Sequence, residues 1–78
     1  MDRQMLERHL AQAKAHVSEG QRHIKDQIRV IRELERDGHD TAVARQLLTT
    51  LRATQALHIA DRDRLAKEWA QATKPGRA

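Results

Sequence analysis

Three histidines recur at an interval of seven residues near the start of the chain: His9, His16 and His23. Imidazole side chains bind transition metals and exchange protons near neutral pH, so a metal site or a pH sensor is the chemistry that this repeat could perform. Residues seven positions apart on one helix lie about 10 Å apart along its axis, whereas zinc–nitrogen bonds measure about 2 Å. The three histidines therefore cannot bind one metal on their own helix.

Each of these histidines precedes an aliphatic residue that belongs to the predicted helix core. This position lies at the flank of a packed helix, where polar contacts with a neighbour are common. We favour the interpretation that half-buried imidazoles fill the edge of a groove between helices. The alternative is a column of groups that titrate near pH 6.5 and loosen a dimer as the pH falls.

A further candidate is His58, which has Thr54 one turn before it and Asp61 three residues after it. A His-Asp pair can serve as a general base or orient a metal ligand. The chain contains no cysteine, and its one serine, Ser18, has no evident partner. We therefore predict no catalytic residue, no metal, no cofactor and no enzymatic activity. The favoured interpretation is a structural polar layer, shared with Gly20, that fixes how the helices pair.

Basic residues outnumber acidic ones, with 15 Lys and Arg against 11 Asp and Glu and a net charge of +4. A positive chain attracts polyanions, and five basic residues of the second half could neutralise phosphates: Arg45, Arg52, Arg62, Arg64 and Lys67. The chain lacks the spacing of a zinc finger and the glycine-rich loop of a phosphate site. Its only Phe, Tyr or Trp is Trp69, which argues against stacking on bases. Nucleic-acid binding is therefore the alternative hypothesis, and a metal or pH sensor that uses histidines from different helices is the third.

Two long helices would position these side chains. Residues 2–36 contain no proline and one glycine, and most are good helix formers. Aliphatic residues repeat every seven positions within this span: Leu10, Val17, Ile24 and Ile31. This heptad spacing predicts a coiled-coil-like helix over residues 2–36.

The segment ELERDGHDTA predicts the break between the helices. Gly38 suits the left-handed position after a helix end, and Asp40 suits the cap of the next helix, with Thr41 as the alternative cap. We predict a turn at 37–40, a second helix at 41–71 and a disordered tail at 72–78. A connection this short makes the two helices antiparallel neighbours.

The predicted fold class is all-α, an antiparallel two-helix hairpin. A turn centred on residues 38 and 39 places Gly20 opposite His58. The packed face of the second helix is then predicted from its apolar spacing to hold Val43, Ala44, Leu47, Leu51, Thr54, His58, Asp61, Leu65 and Trp69.

A hairpin leaves its flanks uncovered, and Leu48, Leu57 and Ile59 form the predicted interaction surface. Two hairpins packed face to face would form a four-helix bundle, so we expect a homodimer.

The chain of 78 residues has no stretch of about 20 apolar residues and no apolar signal segment at its start. We therefore expect a cytoplasmic protein that does not bind membranes. A domain this small gains stability from oligomerisation when disulfides are absent. The function predicted from these features is a non-enzymatic interaction or scaffolding module, with a possible regulatory role, that dimerises and presents helix faces to a partner protein.

Two segments, ELERDGHDT at the turn and LHIADRDRL on the second helix, carry a resemblance. They resemble a recurring pattern in short uncharacterised bacterial proteins with two predicted helices. Together they lie within residues 33–65. The resemblance implies a bacterial origin and a small helical fold, and it implies no activity, cofactor or site residue.

Overall fold

The computed structural model describes residues 2–73, which form two packed helices and no strand. Helix α1 spans Arg3–Arg36 and helix α2 spans Ala42–Ala72. The 34 residues of α1 extend over about 51 Å. The all-helical hairpin predicted from the heptads is confirmed. Of the predicted tail at 72–78, Ala72 is the last residue of α2, and residues 74–78 lie outside the described part of the chain.

The end of α1 forms a Schellman motif. Gly38 has a φ of 75°, His39 N donates to Leu34 O at 2.9 Å, and Gly38 N donates to the carbonyl of Glu35 at 3.1 Å. These bonds satisfy carbonyl groups that the helix itself leaves without a partner. At the start of α2 the side chain of Asp40 accepts a hydrogen bond from Ala42 N at 2.9 Å, so the chain restarts a helix within five residues.

Replacing Gly38 with alanine should lower the free energy of unfolding by about 1 kcal/mol, because the left-handed conformation is unfavourable for a residue that carries a β-carbon. A β-carbon at this position would meet no atom within 4 Å, so the cost is one of backbone conformation alone. Gly38→Asn is the matched control and should cost less, since asparagine tolerates this region. Urea denaturation followed by circular dichroism measures both. Equal stability of the alanine variant and the wild type would contradict the expectation.

The best-packed part of the core lies at the open end of the hairpin, far from the turn. Leu6, Leu10 and Ala13 of α1 enclose Leu65 of α2, and each is at least nine-tenths buried. Trp69 packs against this cluster, and the guanidinium carbon of Arg3 lies 5.3 Å from its ring centre. A cation above an aromatic face adds a modest attraction. The open end is thereby closed by apolar contacts and one cation–π contact.

Helix α2 packs through a face that overlaps the predicted one only in part: Ala44, Leu51, His58, Leu65 and Trp69 lie inward as predicted. Val43, Leu47, Thr54 and Asp61 were expected on the packed face, and all four are exposed. The inward face instead follows a spacing of three and four through residues that are buried or half-buried: Ala44, Leu48, Leu51, Gln55, His58, Arg62, Leu65 and Trp69. The prediction missed three members of this face, Leu48, Gln55 and Arg62, and two of these are polar.

The register of the two helices also differs from the predicted one. The side chain nearest Gly20 is Gln55, which comes three residues before the expected His58. The amides of residues 37–39 still donate to the last turn of α1, so these residues extend the end of α1. As a result, α2 begins beside the last turn of α1 rather than beyond it, and its side chain Arg45 pairs with Glu35.

Across the part of the chain that the structure describes, neither helix is long and apolar enough to cross a membrane.

Candidate functional site

A buried amide joins the two helices at mid-length. Gln55 is 6% exposed, and its Nε2 donates a hydrogen bond of 2.8 Å to the carbonyl oxygen of Val17. Nearer the turn, Gln27 Nε2 of α1 donates to Ala44 O of α2 at 2.9 Å. Each helix thus donates one side-chain amide to a backbone carbonyl of the other. Because both bonds are directional, they favour this register over neighbouring ones.

Gly20 makes room for the Gln55 amide. An added β-carbon would lie 1.8 Å from Gln55 Oε1 and 2.6 Å from its amide carbon. Since a carbon–carbon bond is about 1.5 Å long, this oxygen lies no more than about 3.3 Å from the Gly20 α-carbon, so the amide packs directly against the glycine backbone. Among the described residues, Oε1 has no hydrogen-bond donor.

The predicted polar layer of Gly20, Thr54, His58 and Asp61 is therefore arranged differently. Thr54 and Asp61 point to the surface, and Asp61 accepts a hydrogen bond from Arg64 at 2.7 Å instead of contacting His58. His58 is half-buried, and its ring centre lies 5.2 Å from that of His16 across the helix interface. The His-Asp pair suggested by the sequence is thus replaced by a His-His pair, and the partner of Gly20 is Gln55.

The groove above this layer is small. It is lined by residues of both helices, among them His16, Glu19, His23 and His58, and encloses about 100 Å³. Binding sites for organic ligands usually measure roughly 300–1,000 Å³, so the groove is too small for a typical substrate. Within residues 2–73, no group of three or more His, Asp or Glu side chains is placed to bind a metal.

Four of the five histidines mark one side of the hairpin, which we call the histidine face. The grooves on this side are lined by His9, His16 and His23 of α1 and by Thr54, His58 and Asp61 of α2. Residues spaced by three and four share a side of a helix. The exposed apolar residues in phase with these positions are Met5 and Val30 of α1 and Val43, Leu47 and Leu57 of α2. They are five of the six large apolar residues that residues 2–73 expose.

The predicted interaction surface does not form one patch. Leu57 is 72% exposed and lies on the outer edge of the histidine face. Ile59 is two positions further on, about 200° around the helix, and is therefore on the opposite side of the hairpin. Leu48 is half-buried and lines a groove on that opposite side with Arg45 and Arg52. The periodicity of α2 separates Leu57 from the other two residues.

The basic residues considered for phosphate binding are also divided. Arg45 pairs with Glu35, Arg62 with Asp63, and Arg64 with Asp61 and Glu68. Hydrogen bonds to Asp61 and Glu68 raise the pKa of Arg64 above its ordinary value. Arg64 is in phase with the histidine face, whereas Arg45 and Arg52 line the opposite groove. The predicted set therefore forms no continuous basic stripe, and three of its members already contact carboxylates.

The chain matches no protein-family model, no curated protein and no solved structure at a significant level. The resemblance to short bacterial two-helix proteins stays a prediction. The features of the chain that bear on function are the histidine face, the interhelical amides of Gln55 and Gln27, and the distribution of charge.

Proposed function

We propose that this chain is a non-enzymatic interaction module that pairs with a second copy through its histidine face to form an antiparallel four-helix bundle. One observation carries the proposal: five of the six exposed large apolar residues in the described part of the chain lie on this single side. Exposed apolar surface on one side of a small helical protein favours association. A second copy is the simplest partner, because a two-fold interface requires only one self-complementary surface.

The spacing of the residues supports the same proposal. On α2, positions at alternating intervals of four and three residues run along the histidine face: Val43, Leu47, Thr50, Thr54 and Leu57. On α1 the same intervals connect Met5, His9, Gln12, His16, Glu19 and His23. A helix in a four-helix bundle contacts two neighbours and so needs two such rows of residues. Each helix uses one row within the hairpin, and the second row is available to another hairpin.

The opposite side of the hairpin has a different chemistry and suits a different partner. Ile59 is exposed there, and Leu48 is flanked by Arg45 and Arg52. Arg52 has no carboxylate within ion-pair distance among residues 2–73. Apolar residues framed by arginines favour an acidic, partly apolar protein surface. In the proposed dimer this side remains free, so the bundle would present it twice.

Replacing Leu47 and Leu57 with glutamate should weaken self-association at least a hundredfold, because two-fold symmetry places four carboxylates in the apolar parts of the interface. Sedimentation equilibrium over a range of concentrations gives the dissociation constant. Ile59→Glu is the matched control, since it adds the same charge on the opposite side and should leave the dimer intact. Circular dichroism should show that all variants keep their helices, because the three positions are exposed.

A wild-type chain that remains monomeric at every concentration would overturn the proposal. The nucleic-acid alternative predicts another pattern. It requires retention on DNA or RNA at low salt that falls steeply as salt rises. It also requires Arg45→Gln and Arg52→Gln to reduce that retention while the two glutamate substitutions leave it unchanged.

A further inference from the structure

The ring centres of His16 and His58 are separated by the distance that two imidazoles bound to one zinc ion would have. Their ring centres are 5.2 Å apart, and the ring planes are tilted by 48°. A zinc–nitrogen bond is about 2.0–2.1 Å long, and a ring nitrogen lies about 1.1 Å from the ring centre, which places the centre about 3.2 Å from the metal. Two imidazoles at a tetrahedral angle on one zinc ion would then have centres about 5.2 Å apart. The observed separation equals this value.

The surroundings of the pair suit a cation. Both rings are half-buried, which limits their rotation. Glu19 lines the groove that contains both histidines, and Asp61 lines the adjoining groove beside His16. Carboxylates near metal-bound imidazoles orient the rings and increase the basicity of the ligands. The one Lys or Arg side chain that lines these grooves, Arg64, forms ion pairs with Asp61 and Glu68.

One hairpin supplies only two ligands, and zinc in structural sites takes four. The location of the pair indicates where the other two would come from. His16 lies near the middle of α1 and His58 near the middle of α2, both on the histidine face. When a two-fold axis passes through the middle of this face, the two hairpins overlap along their full length. The same axis places the His16–His58 pair of the second copy next to that of the first.

We propose that His16 and His58 of two copies form a shared four-imidazole site for Zn²⁺ on the two-fold axis of the dimer. Imidazole nitrogen is a ligand of zinc, and four ligands in a tetrahedral arrangement match the usual coordination of this ion. The site rests on the proposed dimer, because neither copy completes it alone. Zinc bound there links four helices and so favours the dimer over the free hairpins.

The test uses the full chain and zinc chloride after removal of metals with a chelator. Zinc in large excess over its dissociation constant should raise the melting temperature by on the order of 10 °C, and metal analysis should give one zinc ion per two chains. His16→Gln and His58→Gln should each abolish the shift. His23→Gln and His9→Gln remove imidazoles from the same side and should retain it, which separates the site from adventitious binding to surface histidines.

Three outcomes would overturn the shared site, and they differ in what they say about the dimer. A dimer that forms without zinc and is unaffected by it removes the site and leaves the proposed function standing. A chain that stays monomeric with and without zinc removes both. A zinc effect that persists in both His16→Gln and His58→Gln assigns the metal to other residues and also removes the site.

Discussion

Replacing Leu65 with alanine should lower the free energy of unfolding by about 3 kcal/mol. Leu65 is 4% exposed and, within residues 2–73, is the one apolar residue of α2 in the buried class. Leucine-to-alanine substitutions at such positions cost roughly 2–5 kcal/mol, from the lost transfer energy and from the cavity that remains. A domain of this size has a total stability of only about 4–12 kcal/mol, so the variant should lose much of its resistance to urea.

The structure also determines where the damage should appear. The residues around Leu65 are Leu6, Leu10 and Ala13, all in the first third of α1. Hydrogen exchange should therefore accelerate first in residues 3–13 and in the last turns of α2, while amides near the turn at Asp37–Thr41 stay protected for longer. Loss of protection that begins at the turn would show that the open end does not stabilise the hairpin.

Leu57→Ala is the control for this measurement because it makes the same chemical change at a residue that is 72% exposed. Its effect on the isolated hairpin should stay within about 0.5 kcal/mol. If the histidine face mediates dimerisation, any larger effect of Leu57→Ala should depend on protein concentration, whereas that of Leu65→Ala on the hairpin itself should not. Equal, concentration-independent losses in the two variants would contradict the assignment of Leu65 to the core.

The sequence was sufficient to predict the two helices and the break between them. The aliphatic heptads of α1 leave one choice of inward face, and Leu10, Val17 and Ile31 are indeed buried. Gly38 supplies the positive φ that ends the helix, a requirement that few other residues meet. In these places local chemistry and tertiary packing favour the same structure, which is why sequence reasoning succeeds there.

The inward face of α2 could not be read in the same way. Two interleaved spacings are available, one through Val43, Leu47 and Thr54 and one through Leu48, Gln55 and Arg62. Apolar content favours the first spacing, and the structure buries the second. The difference arises because an amide can be buried when it finds a hydrogen-bond partner, and the carbonyl of Val17 that serves Gln55 lies 38 residues away in the chain. A contact of this kind cannot be predicted from residues that are close together in the sequence.

The candidate site was predicted only in part for the same reason. The sequence singles out His58, but the neighbour that it predicts for this residue is Asp61 in the same helix. The actual neighbour, His16, depends on the register between the helices. A shift of three residues, nearly one helical turn, exchanges the partner of every interhelical side chain. The seven-residue repeat of histidines thus lies along the histidine face of α1, and α2 supplies His58 beside it.

Gly20 provides the most direct test of this register, because a glycine within a helix costs about 0.5–1 kcal/mol relative to alanine and needs a compensating gain. In the observed register the gain is the burial of the Gln55 amide against the glycine backbone. In the predicted register the space would have accommodated the imidazole of His58. Substitutions that exchange the large and the small partner distinguish these two arrangements.

Gly20→Leu should lower the free energy of unfolding by about 2 kcal/mol, since the leucine displaces a buried, hydrogen-bonded amide and overpacks the interface. Gln55→Ala should cost about 1–2 kcal/mol because it leaves a cavity beside Gly20. The double variant should return to within about 1 kcal/mol of the wild type, because the leucine fills the space that the glutamine vacates. The coupling energy of the cycle should then be at least about 2 kcal/mol, measured by urea denaturation. The matched cycle of Gly20→Leu with His58→Ala should show a coupling energy below about 0.5 kcal/mol. A larger coupling energy with His58 than with Gln55 would favour the predicted register. A higher free energy of unfolding for Gly20→Leu alone would show that the space beside Gly20 is not needed.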